Sequence, residues 1–177
     1  MSEKVIYAAI LGAGTVGMGT YKLCQAMEDE IKHKTGARLV IKKILVRNIG
    51  KKRDGIPEEL LTDDLADIIT DDQLRIIVER MGGIHPAKDY VLDALTAGKQ
   101  VVTANKDIIA EYGEEVGNAA NEAGADLQFE AAVAGAIPII RPLKQSMAGN
   151  HITEIMGIVN GTTNYILTKM TESGMDY

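Results

Sequence analysis

Val5-Ile6-Tyr7-Ala8-Ala9-Ile10-Leu11-Gly12-Ala13-Gly14-Thr15-Val16-Gly17 is the stretch on which the fold turns. The first seven residues read as a short buried strand, and a helical pattern opens directly after the glycines. A G-x-G-x-x-G run between a strand and a helix has a physical use. Gly12 permits the tight turn, Gly14 lets the backbone approach a pyrophosphate, and Gly17 lets the helix pack close on the strand. Thr15 and Val16 complete the turn. The free N–H groups and positive end of the helix then face the phosphates. A plain glycine-rich strand-to-helix turn is the competing reading, and the rest of the chain weighs against it.

Working outward, short β-branched runs alternate with helical patterns, the rhythm of a parallel sheet with crossover helices. The first helix places Leu23, Met27 and Ile31 four apart on one face, with Gly36 as its stop. Residues 39–46 are a second strand, 48–57 a polar loop, 63–72 a short helix and 76–81 a third strand. Pro86 suits the first turn of a helix through Leu95, stopped by Gly98. Residues 100–104 are a strand, 107–123 a helix with Ile108, Tyr112, Val116 and Ala119 or Ala120 inward, and 127–131 a strand. Pro138 begins another helix. From about Ile152 the pattern restarts, with a strand over 154–159 and a helix over 165–170. The fold class is α/β, a doubly wound parallel sheet of Rossmann type. We expect a dinucleotide-binding domain over 1–150, and over 151–177 the first strand and helix of a further, incomplete domain.

The chain of 177 residues is 46% hydrophobic and 25% charged, an ordinary globular balance. Its formal net charge of −6 argues against nucleic acid or an anionic membrane as the main partner. Cys24 is the only cysteine, so no internal disulfide and no cysteine-based zinc site can form. The N-terminus lacks the length and cleavage pattern of a signal peptide, and no apolar run reaches membrane-spanning length. The expected location is the cytoplasm. His33, His85 and His151 are scattered and read as non-catalytic. Cys24 reads as packed rather than nucleophilic, which disfavours the phosphorylating aldehyde dehydrogenases.

The second strand of such folds ends with an acidic residue that takes the ribose hydroxyls. Here it ends Leu45-Val46-Arg47-Asn48. Arg47 suits a 2′-phosphate, through two parallel hydrogen bonds. NADP is therefore favoured, with NAD as the alternative. Lys51, Lys52 and Arg53 read as solvated loop charges that add positive potential.

Three segments then identify a family. Met81-Gly82-Gly83-Ile84-His85-Pro86-Ala87, Gly98-Lys99-Gln100-Val101-Val102-Thr103-Ala104-Asn105-Lys106, and the run from Phe129-Glu130-Ala131-Ala132 through Val133-Ala134-Gly135-Ala136-Ile137-Pro138 resemble homoserine dehydrogenase in order and spacing. Gly157-Ile158-Val159-Asn160-Gly161-Thr162-Thr163-Asn164 is similar to that family's entry into its catalytic domain. The resemblance implies interconversion of L-aspartate 4-semialdehyde and L-homoserine with NAD(P), on the route to threonine, methionine and isoleucine. It implies a homodimer in the full-length protein.

By that resemblance Lys106 stands at the junction of cofactor and substrate, where its ammonium holds the substrate carboxylate or assists charge changes at the carbonyl. Gly82 and Gly83 either let the backbone pass beside the nicotinamide or form an ordinary strand-to-helix turn. Glu130 with the backbone carbonyls of Val133, Gly135 and Ile137 matches a monovalent-cation site, usually sodium; oxygen ligands suit a hard cation. Ala136 stands where the family often has a second glycine, a departure that puts the cation site in question. The family pattern continues beyond this chain with a glutamate, an aspartate and the principal acid/base lysine. We therefore expect the chain to hold the cofactor and part of the site, without the full chemistry. A non-catalytic NAD(P)-binding sensor or partner module is the alternative from another class. A Rossmann oxidoreductase with a different substrate is the third reading.

Overall fold

The computed structural model describes residues 3–135 and 137–176. The chain divides into two compact units, 1–132 and 133–177, earlier than the change of domain read at about 150.

The first unit is built on β1 (Val5–Leu11), β2 (Arg38–Leu45), β3 (Leu61–Thr62), β4 (Leu74–Glu79), β5 (Gln100–Thr103) and β6 (Leu127–Gln128). They form one parallel sheet in the order β3-β2-β1-β4-β5-β6. The chain reverses its direction of winding between β1 and β4, and ligands of open α/β sheets bind outside the carboxyl ends of the strands at such a switch point. Its helices are α1 (Thr15–Ala26), α2 (Glu28–Thr35), α3 (Ala66–Ile69), α4 (Ala87–Thr96) and α5 (Lys106–Ala123).

Alternation along β1 explains the two cores. Ala8 and Ile10 pack with Tyr21, Ile41 and Ile44 in one cluster. Ala9 and Leu11 join Ile77, Val91, Leu95, Val101, Ile108 and Val116 in the other. A strand buried on both faces has no polar side, which is why β1 reads as a continuous apolar run. The long helix α5 keeps Ile108, Val116 and Ala120 buried and ends at Gly124, whose φ of 61° takes the left-handed conformation that stops helices.

Five expectations are corrected. The first helix is interrupted at Met27, and Leu23 is 61% exposed; Gly17 and Tyr21 are its buried residues. The inward face is set by the close seat of Gly17 on the glycine turn, which the spacing of apolar residues does not report. The strand over 127–131 is only Leu127–Gln128, because Glu130–Ala132 turns into a short 3₁₀ segment. In the second unit the helical turn after Pro138 is Pro142–Ser146, wide enough that the Met147 N–H donates to the Pro142 carbonyl at 3.0 Å. No strand forms over 154–159, where Met156 and Val159 are 84% and 93% exposed. A strand needs a neighbour for its backbone groups, and none lies beside it among the described residues. The last helix, α6 (Gly161–Ser173), is longer than expected, since the Asn160 side chain accepts from the Thr163 N–H at 2.8 Å and caps it.

Candidate dinucleotide site

The glycine turn is held from two sides. The Gly12 N–H donates to the Leu45 carbonyl at 2.9 Å, fixing the turn to the end of β2. Gly12 has a φ of 98°, and a Cβ there would stand 3.0 Å from the Arg80 carbonyl oxygen. A Cβ on Gly17 would stand 2.0 Å from the Gly12 carbonyl oxygen, so only glycine lets α1 approach this closely. Gly14 is different: a Cβ there meets nothing within 4 Å. Its open side is where a ligand backbone would pass. Gly14 also caps α1 without any side-chain hydrogen bond, and the first turn carries no acidic residue. The N–H groups of Thr15, Val16 and Gly17 in that turn have no intrahelical acceptor.

A cleft of about 610 Å³ runs from Gly12, Ala13 and Gly14 past Val46 and Arg47 to Arg80 and Met81. Lys51 and Arg53 also line it, with Asp63 as the one carboxylate. Arg47 is exposed, and no carboxylate pairs with it among the described residues. Arg53 is not a free loop charge. Its guanidinium donates to the Asn48 and Lys51 carbonyls at 3.0 and 2.7 Å and braces the loop after β2.

The ends of β4 and β5 are joined by a polar network that sequence reasoning passed over. The Glu79 carboxyl group, fully buried, accepts from Thr103 Oγ1 at 2.5 Å and from the Met81 N–H at 2.6 Å. The Asn105 N–H donates to Thr103 Oγ1 at 2.9 Å. Asn105 Nδ2 donates to the Gly83 carbonyl at 2.6 Å, while its Oδ1 accepts from the Asp107 and Ile108 N–H groups and caps α5. The segment 81–83, with Gly82 and Gly83 at φ 72° and 71°, is thus tied to the start of α5. Two signals were present: a carboxyl residue closing an apolar strand, and an asparagine directly before a helix.

Lys106 begins α5 with its side chain 78% exposed and its ammonium 2.7 Å from Asp107 Oδ1. It does not line the cleft at Gly12 and Arg47. Glu130 belongs to the first unit, and Val133, Gly135 and Ile137 belong to the second. Ala136, read as a departure from the family loop, lies outside the described residues; Ala134 and Gly135 beside it have φ of 55° and 47°. Cys24 is partly buried, and burial pushes its thiol pKa up, as suits a packed residue. Among the described residues no helix is long and apolar enough to cross a membrane.

A parallel sheet in this order, with a tight glycine turn and an uncapped helix start at its switch point, defines the dinucleotide-binding class of α/β proteins. The fold and turn geometry fit such a ligand: the Gly14 side is open, while the Gly12 and Gly17 sides are closed. The family model "Homoserine dehydrogenase, NAD binding domain" matches residues 12–130, and the model "Homoserine dehydrogenase" matches 138–177. The chain belongs to the homoserine dehydrogenase family. It is 46% identical over 175 residues to homoserine dehydrogenase of Bacillus subtilis, covering 98% of this chain and 40% of that protein. With the Corynebacterium glutamicum enzyme it shares 48% over 169 residues, covering 96% and 38%. The crystal structure of a Thiobacillus denitrificans homoserine dehydrogenase superposes with a TM-score of 0.83 at 40% identity, over 98% of this chain and 40% of that one. A hyperthermophilic archaeal homoserine dehydrogenase in complex with NADPH gives 0.74 at 28% identity, over 95% and 57%. The chain thus spans about 40% of the length of the curated relatives it matches.

Proposed function

We propose that the cleft binds NADP(H), as the cofactor site of an enzyme that interconverts L-homoserine and L-aspartate 4-semialdehyde. The observation that carries this reading is one cleft joining the open face of Gly14 to Arg47 at the switch point, in a chain of this family. The pyrophosphate lies over Gly12, Gly14, Thr15, Val16 and Gly17, where helix N–H groups meet it. Arg47 takes the 2′-phosphate. The bound nicotinamide supplies or accepts the hydride. Gly82 and Gly83 pass beside it, held by Asn105. Lys106 receives the carboxylate of the amino-acid substrate, in competition with Asp107. Glu130 offers a carboxylate oxygen to a monovalent cation, sodium by family likeness. The whole enzyme works as a cytoplasmic homodimer serving threonine, methionine and isoleucine synthesis.

Titration of the 177-residue chain with NADPH, followed by nicotinamide fluorescence, tests the reading. Saturable enhancement that NADH matches only at higher concentration is expected. Equal affinity for the two would remove the NADP assignment, and no saturation with either would remove the site.

A further inference from the structure

Arg80 follows β4 directly, and its N–H donates to the Leu11 carbonyl at 2.9 Å, so its backbone is part of the sheet beside the glycine turn. Arg80 is among the residues lining the cleft that holds Gly14 and Arg47. A guanidinium carries five N–H donors. One of them reaches the carbonyl of Glu79 at 3.0 Å, and Nε is buried with no acceptor at all. No salt bridge is formed by Arg80 among the described residues. The neighbouring Glu79 carboxyl oxygens are already engaged by Thr103 and Met81. Burial lowers the guanidinium's pKa, partly opposed by Glu79, so the site holds this cation at a cost. A half-buried cation with an orphaned nitrogen, at the wall of a cleft with three further cations, lacks an anionic partner.

We propose that Arg80 is a further cofactor-binding residue, whose guanidinium pairs with a phosphate group of the dinucleotide. This rests on the nucleotide reading of the cleft. The shared chemistry is a phosphate ester, from either the 2′-phosphate or the pyrophosphate. Arg80 thereby adds to the sequence-read set a residue that the apolar character of β4 concealed.

The test is isothermal titration of the wild type, Arg80→Met and Arg80→Lys with NADPH, NADH, 5′-ADP, adenosine 2′,5′-bisphosphate and adenosine. Arg80→Met is expected to weaken phosphate-bearing ligands tenfold or more and to leave adenosine unchanged. Loss confined to NADPH and the bisphosphate assigns the 2′-phosphate; loss shared by NADH and 5′-ADP assigns the pyrophosphate. Arg80→Lys keeps the charge without the planar fork, so a smaller loss on the same ligands is expected, and this variant decides if the Met variant fails to fold. Unchanged affinity for every phosphate ligand, or equal loss for adenosine, overturns the assignment. Wild-type protein that binds none of the phosphate ligands overturns the nucleotide reading itself, a result distinct from a silent Arg80 substitution.

Discussion

Glu79 and Thr103 are register partners on the parallel strands β4 and β5, and the Thr103 hydroxyl donates to Glu79 Oε2 at 2.5 Å with both residues fully buried. Thr103 Oγ1 also accepts the Asn105 N–H, so one hydroxyl serves both strand ends. Thr103→Val keeps the shape and removes both bonds, leaving two buried polar groups unpaired. A loss of about 2–6 kcal/mol in urea unfolding is expected, since each of the two groups costs roughly 1–3. A change below about 0.5 kcal/mol, the level of an ordinary surface substitution, would contradict the network's role.

The two glycines of the turn separate fold from binding. Gly17→Ala forces a Cβ to 2.0 Å from the Gly12 carbonyl oxygen, which is backbone and cannot yield without moving α1. It should destabilise the fold by several kcal/mol, as overpacking does at about 1–3 and occasionally more. Gly14 has a φ of −77° and open space, so Gly14→Ala is tolerated by the fold. On the proposed function its added methyl group would stand in the path of the pyrophosphate, and NADPH affinity should fall tenfold or more with the melting temperature unchanged. Calorimetry of both variants checks this; equal stability loss in the two would refute the division.

Away from the site, Lys42 Nζ sits 2.5 Å from Asp71 Oδ2, tying β2 to the turn before β4. The hydrogen bond from Lys42 chiefly holds the Asp71 carboxyl below its ordinary value, with burial opposing. A carboxyl group with a lowered folded pKa contributes stability above its unfolded value near 3.8, and that contribution is lost as pH falls through the folded one. Asp71→Asn should therefore cost about 0.5–1 kcal/mol at pH 7, in the range of partly exposed pairs. Once the pH has fallen through the folded value, wild type and variant should unfold at the same urea concentration. A difference that persists at low pH would mean that the pair is not its source.

The sheet was legible because a parallel strand buried on both faces leaves a continuous apolar run, as in β1. Gly12 and Gly17 were legible because only glycine satisfies their backbone constraints, and Gly14 because it completes the spacing of the turn. The burial of α1 was not: its inward face follows from the contact of Gly17 with Gly12, which apolar spacing cannot register. Arg80 and Glu79 were hidden inside a segment read by its aliphatic residues alone. Arg53 was read as solvated, whereas its Nη1 donates to the Asn48 and Lys51 carbonyls. The strand over 154–159 shows the opposite failure. Its β-branched residues satisfy the pattern, but a strand also requires a partner, and a pattern carries no information about one.

On the proposed function the cleft holds a dinucleotide whose 2′-phosphate meets Arg47. The direct measurement is calorimetric titration of NADPH and NADH into wild type and Arg47→Ala. The wild type is expected to bind NADPH more tightly than NADH. Arg47→Ala should lose about 1.5–3 kcal/mol on NADPH, the worth of charged hydrogen bonds, with little change for NADH. Equal losses on both cofactors, or wild-type protein that binds neither, would contradict it.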